Sequence, residues 1–335
     1  MDLYIFDKDF NRLGMIDKFS SLRWLRSYNS CGLFELNLDL TLENIVLLQK
    51  DNIIYRKDDV EVGVINYINY KKDTEGKEII VCKGNFATTY LSRRISLGTN
   101  TLTGTEENAI RTLITNNVIS ATNNSRNLPN FLLGANNSYA GSVTYVLSNI
   151  ELLQDIMNLA VLGDLGFRTS FNATTKRLTF NMYKGLDRSV NQSVNPRCIF
   201  SQEFDNILES EFTDSNDNYK NVAYSTTSNS GTEAGLVGLN RYEMFADSDL
   251  TVALSQRLKV MTFISKINSN SNLTYKVDYD LGDVITCTSK KWNVTVNNRI
   301  MEVEEVYEEA GLTVNLTLGE RIPTLITKIK QLIKK

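Results

Sequence analysis

The residues that could do chemistry in this chain are carboxylates, lysines and tyrosines, because its 335 residues include no histidine. Without histidine a chain has no Ser-His-Asp or Cys-His nucleophile and no histidine-ligated metal centre. None of the cysteines stands in a CxxC pair, which excludes a zinc ribbon. We expect them to be small buried side chains in a reducing compartment. They are Cys31, Cys82, Cys198 and Cys287.

One group of carboxylates could include the acid pair of a glycosidase, a chemistry that needs no histidine. The group consists of Glu203, Asp205, Glu209 and Glu211. The sequence does not fix the distance between any two of them, so we assign no catalytic residue. An enzyme that acts on carbohydrate or peptidoglycan through these carboxylates stays an alternative.

Neither a metal nor a cofactor is expected. A calcium loop beginning at Asp214 would need glycine at its sixth position and glutamate at its twelfth, where this chain has Tyr219 and Ser225. The stretch 163–166 lacks the third glycine and the Lys-Ser/Thr pair of a phosphate-binding loop.

A run of acidic residues follows residue 300, and it has two interpretations. It could be the solvated edge of a sheet, where charge prevents aggregation. It could also line the wall or rim of a passage through which a polyanion moves, since acidic groups would repel the polyanion and not retain it. The run consists of Glu302, Glu304, Glu305, Glu308 and Glu309.

Other side chains are candidates for contacts between subunits. Trp24 lies between two arginines, which fits either a core aromatic residue or an interface residue. The apolar stripe of a short C-terminal helix must pack on this chain or on a partner, because an isolated helix of about 12 residues is unstable. The interface candidates are Trp24, Arg26, Phe34, Leu325, Ile329 and Ile333.

The elements that must position these residues are mainly strands, with helices in the middle. We predict a first β-domain over 1–95, an α+β domain over 96–196, and a second β-domain over 197–321 with an insertion near 229–271. A short amphipathic helix over 322–335 would close the chain. Helices are predicted over 42–49, capped by Thr41, and over 145–162. Another is predicted where a capping-box pattern at 103–106 precedes apolar residues at helical spacing from Ala109 to Val118.

A weak internal repeat relates the two β-domains. When 63–84 is placed beside 298–319 without a gap, Gly76 falls on Gly311 and Gly84 on Gly319. Each segment reads as a strand, a charged turn and a second strand. A chance match of two hairpins would look much the same, so the sequence leaves both explanations open.

Charge and hydropathy limit the partners. Lys plus Arg is 36 and Asp plus Glu is 39, which gives a net charge of −3. A dedicated nucleic-acid-binding protein would show a basic excess, so no specific nucleic-acid binding is expected. No apolar run reaches about 18 residues, and no membrane span is expected.

Several ordered stretches resemble bacteriophage tail hub, or baseplate hub, proteins. The similarity covers nearly the whole chain in the same order. Cys31 departs from the pattern, which would have proline or a polar residue there. The stretches are LYIFD at 3–7, LGMID at 13–17, SLRWLR at 21–26, GLFEL at 32–36, RYE at 241–243, DYDLGDV at 278–284 and RIMEV at 299–303.

This resemblance implies two similar β-barrel tube domains with other domains attached. It implies a homotrimeric ring that adapts a sixfold tail tube to a threefold spike and surrounds a central channel. The tail tube, or a tube-initiator or distal tail protein, would bind one face. A spike, tip or tape-measure protein would bind the other. The protein would be made in the bacterial cytoplasm and end in the tail of a phage or a tail-like bacteriocin, without an enzymatic activity.

Overall fold

The computed structural model describes residues 1–319 except 73, 75, 99–100, 148–150, 226–235, 247–249, 256 and 269–270. The predicted C-terminal helix, with Leu325, Ile329 and Ile333, lies outside the described residues. Strands predominate among the described residues, which confirms the predicted mainly β class with helices in the middle.

The first 95 residues form seven strands and one α-helix. The predicted cap is confirmed, because the Thr41 hydroxyl accepts a hydrogen bond from the Asn44 amide at the start of the helix. The elements are β1 (Leu3–Phe6), β2 (Arg12–Ile16), β3 (Ser21–Ser27), β4 (Leu33–Asp39), α1 (Leu42–Leu47), β5 (Ile53–Arg56), β6 (Val62–Lys72) and β7 (Glu78–Phe86).

The middle of the chain mixes helices with short strands. The helix predicted over 145–162 begins only at Leu152, because Tyr145 lies in a strand opposite Leu102. A π-helical turn, Thr115–Ile119, follows the first helix of this region. The elements are β8 (Thr101–Gly104), α2 (Glu106–Ile114), β9 (Phe131–Leu133), β10 (Val143–Val146), α3 (Leu152–Leu162), β11 (Gly166–Asn172) and β12 (Arg177–Tyr183).

The remaining residues return to strands. The insertion predicted near 229–271 overlaps a strand of the large sheet at 260–267, which pairs with the strand ending at Ser215. The extra segment therefore lies between Ser215 and Val260. The elements are β13 (Ile199–Ser201), β14 (Ile207–Ser215), β15 (Val222–Ser225), β16 (Glu243–Ala246), α4 (Leu250–Ser255), β17 (Val260–Ile267), β18 (Val284–Ser289), β19 (Val294–Glu308) and β20 (Gly311–Gly319).

The chain folds into two compact units. The first holds 1–185 and also 303–314, which is the tip of the β19–β20 hairpin. The second holds 186–302 and 315–319. Within the first unit the tip of β19 lies next to β3 in the sheet. The last hairpin of the chain therefore completes the fold of the first unit.

Two series of six strands have the same spatial order. The first series is β3-β4-β7-β6-β5-β1 and the second is β14-β17-β20-β19-β18-β13. Corresponding strands of the two series also occur in the same order along the chain. One difference is the last pair, which is antiparallel between β1 and β5 but parallel between β13 and β18. The weak sequence repeat therefore falls on corresponding hairpins, β6–β7 and β19–β20.

The aligned glycines share backbone geometry at the turns. Gly76 has a φ of 87° and Gly311 a φ of 115°, values that favour glycine. A side chain at Gly84 would lie 1.9 Å from the Val64 carbonyl oxygen, and one at Gly319 would lie 2.2 Å from that of Met261. Both hairpins thus exclude a side chain at the aligned position of the second strand.

Candidate functional site

The acidic run of β19 is divided between the two faces of the sheet. Side chains of consecutive strand residues point to opposite faces. Glu304 is partly exposed and forms an ion pair with Arg23 of β3. Glu305 is fully buried, at 0% exposure. A channel-lining role is therefore wrong for the side chain of Glu305 in this fold.

The outer face carries a row of alternating charges that we call the charge ladder, defined as Glu304, Arg23, Glu35 and Lys83. Arg23 lies opposite Glu35, and Glu35 lies opposite Lys83 on β7. Lys83 Nζ is 2.7 Å from Glu35 Oε2. The hydrogen bond from Lys83 lowers the pKa of Glu35, and the positive charges of Lys83 and Arg23 add to that effect. The ladder is polar with a balanced charge.

Behind the ladder, the inner face holds a buried ionic cluster centred on Arg56. Its Nη2 is 2.7 Å from Glu305 Oε2 and 2.7 Å from the Tyr307 hydroxyl. Asp58 accepts two further hydrogen bonds from the same guanidinium, at 2.6 and 3.1 Å. Burial opposes ionisation of Arg56, but the hydrogen bonds to Asp58 and the charge of Glu305 outweigh it and raise its pKa.

The tyrosine of this cluster stays neutral. Tyr307 donates a hydrogen bond of 2.7 Å to Glu305 Oε2. Burial raises the pKa of its hydroxyl, although the positive charge of Arg56 works in the opposite direction. The Arg56 guanidinium also lies over the Tyr307 ring, 4.8 Å from its centroid. The tip of the last hairpin is thus bound to β5 by charge, hydrogen bond and ring contact.

Trp24 and Phe34 belong to the core of the first unit, which corrects their prediction as inter-subunit contacts. They are 0% and 1% exposed, because both lie at alternating positions that face inward. The Trp24 indole donates a hydrogen bond of 2.9 Å to Asp59 and lies 4.5 Å from the Phe86 ring. A side chain enclosed in this way offers no surface to a second subunit.

Arg26 is also buried, at 3% exposure, so its prediction as an interface residue is corrected too. Its Nε lies 3.9 Å from Asp59 Oδ2 and 3.9 Å from Glu61 Oε2. Asp59 in turn accepts a hydrogen bond from the Glu61 amide. Arg26 therefore neutralises carboxylates inside the fold. Burial of a charge is tolerated there because the charge is paired.

The other acidic candidates differ in exposure. Glu302 is half-buried, while Glu308 and Glu309 are exposed at the end of β19. Within the described part of the chain, Glu308 and Glu309 form no ion pair. With Glu304, these residues stay candidates for a polar surface.

Two of the carboxylates considered for a glycosidase, Glu203 and Glu209, make other contacts in the second unit. Glu203 accepts hydrogen bonds from the Ser201 hydroxyl and the Lys290 amide. The hydrogen bond from Ser201 lowers the pKa of Glu203, whereas a general acid needs a raised pKa. Glu209 faces Lys266 at 3.6 Å across the sheet.

Potential metal ligands, long helices and thiols are the remaining features of the described residues. No group of three potential ligand side chains there could hold a metal ion. No described helix is long and apolar enough to cross a membrane. Burial raises the pKa of the thiols of Cys82 and Cys198 to about 12, and both stay protonated near neutral pH.

The sequence analysis missed the importance of Arg56. It ends the strand Ile53–Arg56, in which three of the four residues are buried. A charged residue at the end of such an apolar strand is a signal that it needs a buried partner. The partner could not be identified, because Glu305 follows 249 residues later.

Comparisons with known proteins agree with the predicted family. Residues 2–251 and 240–320 match the profile of the family described as Siphovirus ReqiPepy6 Gp37-like protein. This match confirms the predicted resemblance to phage tail proteins. No curated protein matches the chain in sequence.

Solved structures share the fold at low sequence identity. The prophage tail protein gp18 from Listeria monocytogenes EGD-e is 12% identical, with a TM-score of 0.58, and the match covers 100% of this chain and 99% of that one. The tail protein from Neisseria meningitidis MC58 is also 12% identical, with a TM-score of 0.58 and coverage of 95% and 96%. The 43 kDa tail protein of prophage MuSo2 from Shewanella oneidensis is 9% identical, with a TM-score of 0.56 and coverage of 95% and 96%.

Proposed function

We propose, because this chain belongs to the Siphovirus ReqiPepy6 Gp37-like family, that it is a hub subunit of a phage tail or tail-like particle. Three copies form a closed ring around a central channel. One face of the ring binds the sixfold tail tube, or the tube-initiator or distal tail protein. The other face binds a threefold spike, a tip or the tape-measure protein.

The observation that supports this proposal is the repeated strand order, β3-β4-β7-β6-β5-β1 and β14-β17-β20-β19-β18-β13. Each chain carries two six-strand series of similar topology, so three chains carry six. Six similar series can meet a sixfold ring, while the three chains keep true threefold symmetry toward a spike. A closed threefold ring uses a heterologous contact, in which two different faces of neighbouring chains meet.

The proposed channel requires a wall that does not retain nucleic acid. A basic wall would bind nucleic acid by releasing its counterions, and passage would stall. The charge ladder fits this requirement, because its acidic and basic groups alternate and its net charge is zero. Glu302, Glu304, Glu308 and Glu309 are the proposed residues of the channel wall or its rim.

The mass in solution tests the ring directly. Size-exclusion chromatography with light scattering should give about 114 kDa, three times the chain mass of 37.9 kDa. Electron microscopy of the same sample should show threefold symmetry and a central hole. A species that stays monomeric at high concentration would contradict the ring, because obligate interfaces typically bury more than about 2,000 Å² of surface.

The position of the acidic residues is a separate test of the channel. In a map of the ring, Glu308 and Glu309 should face the lumen or its mouth. If they lie on the outer wall, or if lysine and arginine line a closed lumen, the passage proposal fails while the hub assignment stands.

We also propose that the chain has no enzymatic activity. The lowered pKa of Glu203 is unsuited to a general acid and supports this proposal. Purified protein should not release soluble fragments from peptidoglycan. The proposal would be overturned if the protein released fragments and both Glu203→Gln and Glu209→Gln abolished the release. The control Glu43→Gln, on the exposed start of α1, should then keep it.

A further inference from the structure

Two arginines in the first unit, Arg94 and Arg126, each donate a hydrogen bond to a main-chain carbonyl at or next to the other arginine. Arg94 Nε donates a hydrogen bond of 2.7 Å to the carbonyl oxygen of Arg126. Arg126 Nη2 donates one of 2.6 Å to the carbonyl oxygen of Ile95. Each guanidinium thus lies against the backbone next to the other arginine. Both side chains are partly buried, which limits their rotation.

The buried side chain of Asn117 holds Arg126 in this arrangement. Asn117, fully buried in the π-helical turn, accepts hydrogen bonds from Arg126 Nη2 at 3.1 Å and from the Leu97 amide at 2.9 Å. Its own amide donates to the Leu113 carbonyl oxygen at 3.0 Å. The arginine pair is therefore held in place before any ligand arrives.

The pair has no acidic partner among the described residues. Every acceptor that Arg94 and Arg126 contact there is a neutral carbonyl or amide oxygen. Burial lowers the pKa of Arg94, and the neighbouring charges of Arg126 and Arg93 lower it further. Arg93 differs, since its guanidinium pairs with Asp51 at 2.5 Å. Two positive charges therefore stand close together without a described counter-charge.

Donor groups of the pair are still available. A guanidinium carries five N–H donors. The described contacts use Nε and Nη1 of Arg94 and Nη2 of Arg126. Nη2 of Arg94 and Nη1 of Arg126 have no hydrogen-bond partner in the described part of the chain. Arginine binds carboxylate and phosphate with paired N–H groups of this kind.

The surroundings distinguish between these two kinds of anion. Ile95 and Leu97, one and three positions after Arg94, are exposed aliphatic side chains at 54% and 45%. Aliphatic side chains add nothing to a contact with a phosphate backbone, but they do stabilise a protein interface, where arginine is enriched.

We propose that Arg94 and Arg126 form a docking site for an acidic segment of another protein, one in which carboxylates alternate with aliphatic side chains. The carboxylates bind the available N–H groups of the pair, and the aliphatic side chains cover Ile95 and Leu97. The site goes beyond the hub proposal and does not depend on a trimer. Its failure would leave the ring intact, and a monomeric protein would leave this site intact.

Fluorescence anisotropy with a labelled peptide of alternating glutamate and leucine tests the site. We expect saturable binding to the full chain and binding about tenfold weaker for the matching glutamine–leucine peptide. The double variant Arg94→Gln, Arg126→Gln should weaken binding of the glutamate peptide by a similar factor. Arg177→Gln removes an exposed arginine from β12 as a matched control, and it should leave binding unchanged.

Lysine variants keep the test valid if the glutamine variant does not fold. Arg94→Lys with Arg126→Lys keeps both charges but loses the paired N–H geometry, so binding should weaken several-fold at an unchanged melting temperature. Equal binding by the glutamine–leucine peptide, or full binding by the lysine variant, would overturn the proposal. Tighter, competing binding of a single-stranded oligonucleotide of equal length would replace it with a phosphate site.

Discussion

Arg56 Nη2 lies 2.7 Å from Glu305 Oε2, and the two residues are 249 positions apart in the chain. Both are at 0% exposure. The pair joins the first 60 residues to the tip of the last hairpin. When one partner of a buried pair is removed, the other is left as an uncompensated charge. The integrity of the first unit should therefore depend on a residue near the end of the chain.

Glu305→Gln should lower the free energy of unfolding by up to about 3–5 kcal/mol, because Arg56 would lose its buried counter-charge and keep only the more exposed Asp58. Urea denaturation followed by tryptophan fluorescence measures this, since Trp24 lies under the Arg56 guanidinium at 5.1 Å. Glu304→Gln is the matched control. It changes the neighbouring residue on the outer face, where an ion pair contributes about 1 kcal/mol or less.

The double variant Arg56→Met, Glu305→Leu separates lost charge pairing from lost packing. It should be less destabilised than Glu305→Gln, because a buried ion pair can be replaced by apolar side chains of similar size at little cost. If Glu304→Gln and Glu305→Gln lowered the free energy of unfolding equally, the two positions would not differ in burial, contrary to the structure.

Much of the local structure could be predicted from the sequence because it depends on neighbouring residues. Thr41 correctly predicts the start of α1, because a threonine cap acts on the amides that directly follow it. Features of this kind need only the periodicity of side chains and the hydrogen bonds of caps and turns.

The candidate site could be predicted only in part because it depends on distant pairings. The acidic run was recognised, but only the register of β19 beside β3 decides that Glu305 points inward. Trp24 was assigned two possible roles, and burial against Phe86 decides between them. The helix expected from Tyr145 begins later because pairing with β8 takes its first residues into a strand. Tertiary contacts outweigh local propensity there.

The buried thiols should make stability fall at alkaline pH. Burial raises the pKa of Cys82 from its ordinary value of 9.0 to about 12. Below about pH 9 the thiol is protonated in both states and has no effect. Above it, the unfolded thiol ionises while the folded one stays protonated. The free energy of unfolding should then fall with rising pH, by up to about 1.4 kcal/mol per pH unit for each such thiol, until about pH 12.

Cys82→Ala isolates this effect from other groups that titrate at alkaline pH. Urea denaturation at several pH values between about 9 and 11 should show a shallower decline for the variant than for the original chain, by up to about 1.4 kcal/mol per pH unit. Below about pH 9 the difference in unfolding free energy between the two proteins should not change with pH, because it reflects packing alone. Parallel pH profiles throughout would show that the thiol is not buried as described.

The two aligned hairpins make a prediction about glycine. Gly84→Ala would place a methyl group 1.9 Å from the Val64 carbonyl oxygen, and Gly319→Ala would place one 2.2 Å from that of Met261. Since both contacts are with backbone atoms, strands must move apart, at a cost of about 1–3 kcal/mol or more. Gly319 also has a φ of 82°, which adds about 1–2 kcal/mol for alanine.

The turn glycines provide the matched comparison. A side chain at Gly76 or Gly311 would have no atom within 4 Å, so alanine there should cost only the backbone term of about 1–2 kcal/mol. Thermal and urea denaturation of the four single variants should therefore give two classes, with Gly84→Ala and Gly319→Ala the more destabilised. If β6–β7 and β19–β20 are copies of one unit, each member of an aligned pair should fall in the same class. In a crystal structure, a superposition of the two six-strand series that does not place Gly76 on Gly311 would contradict the repeat.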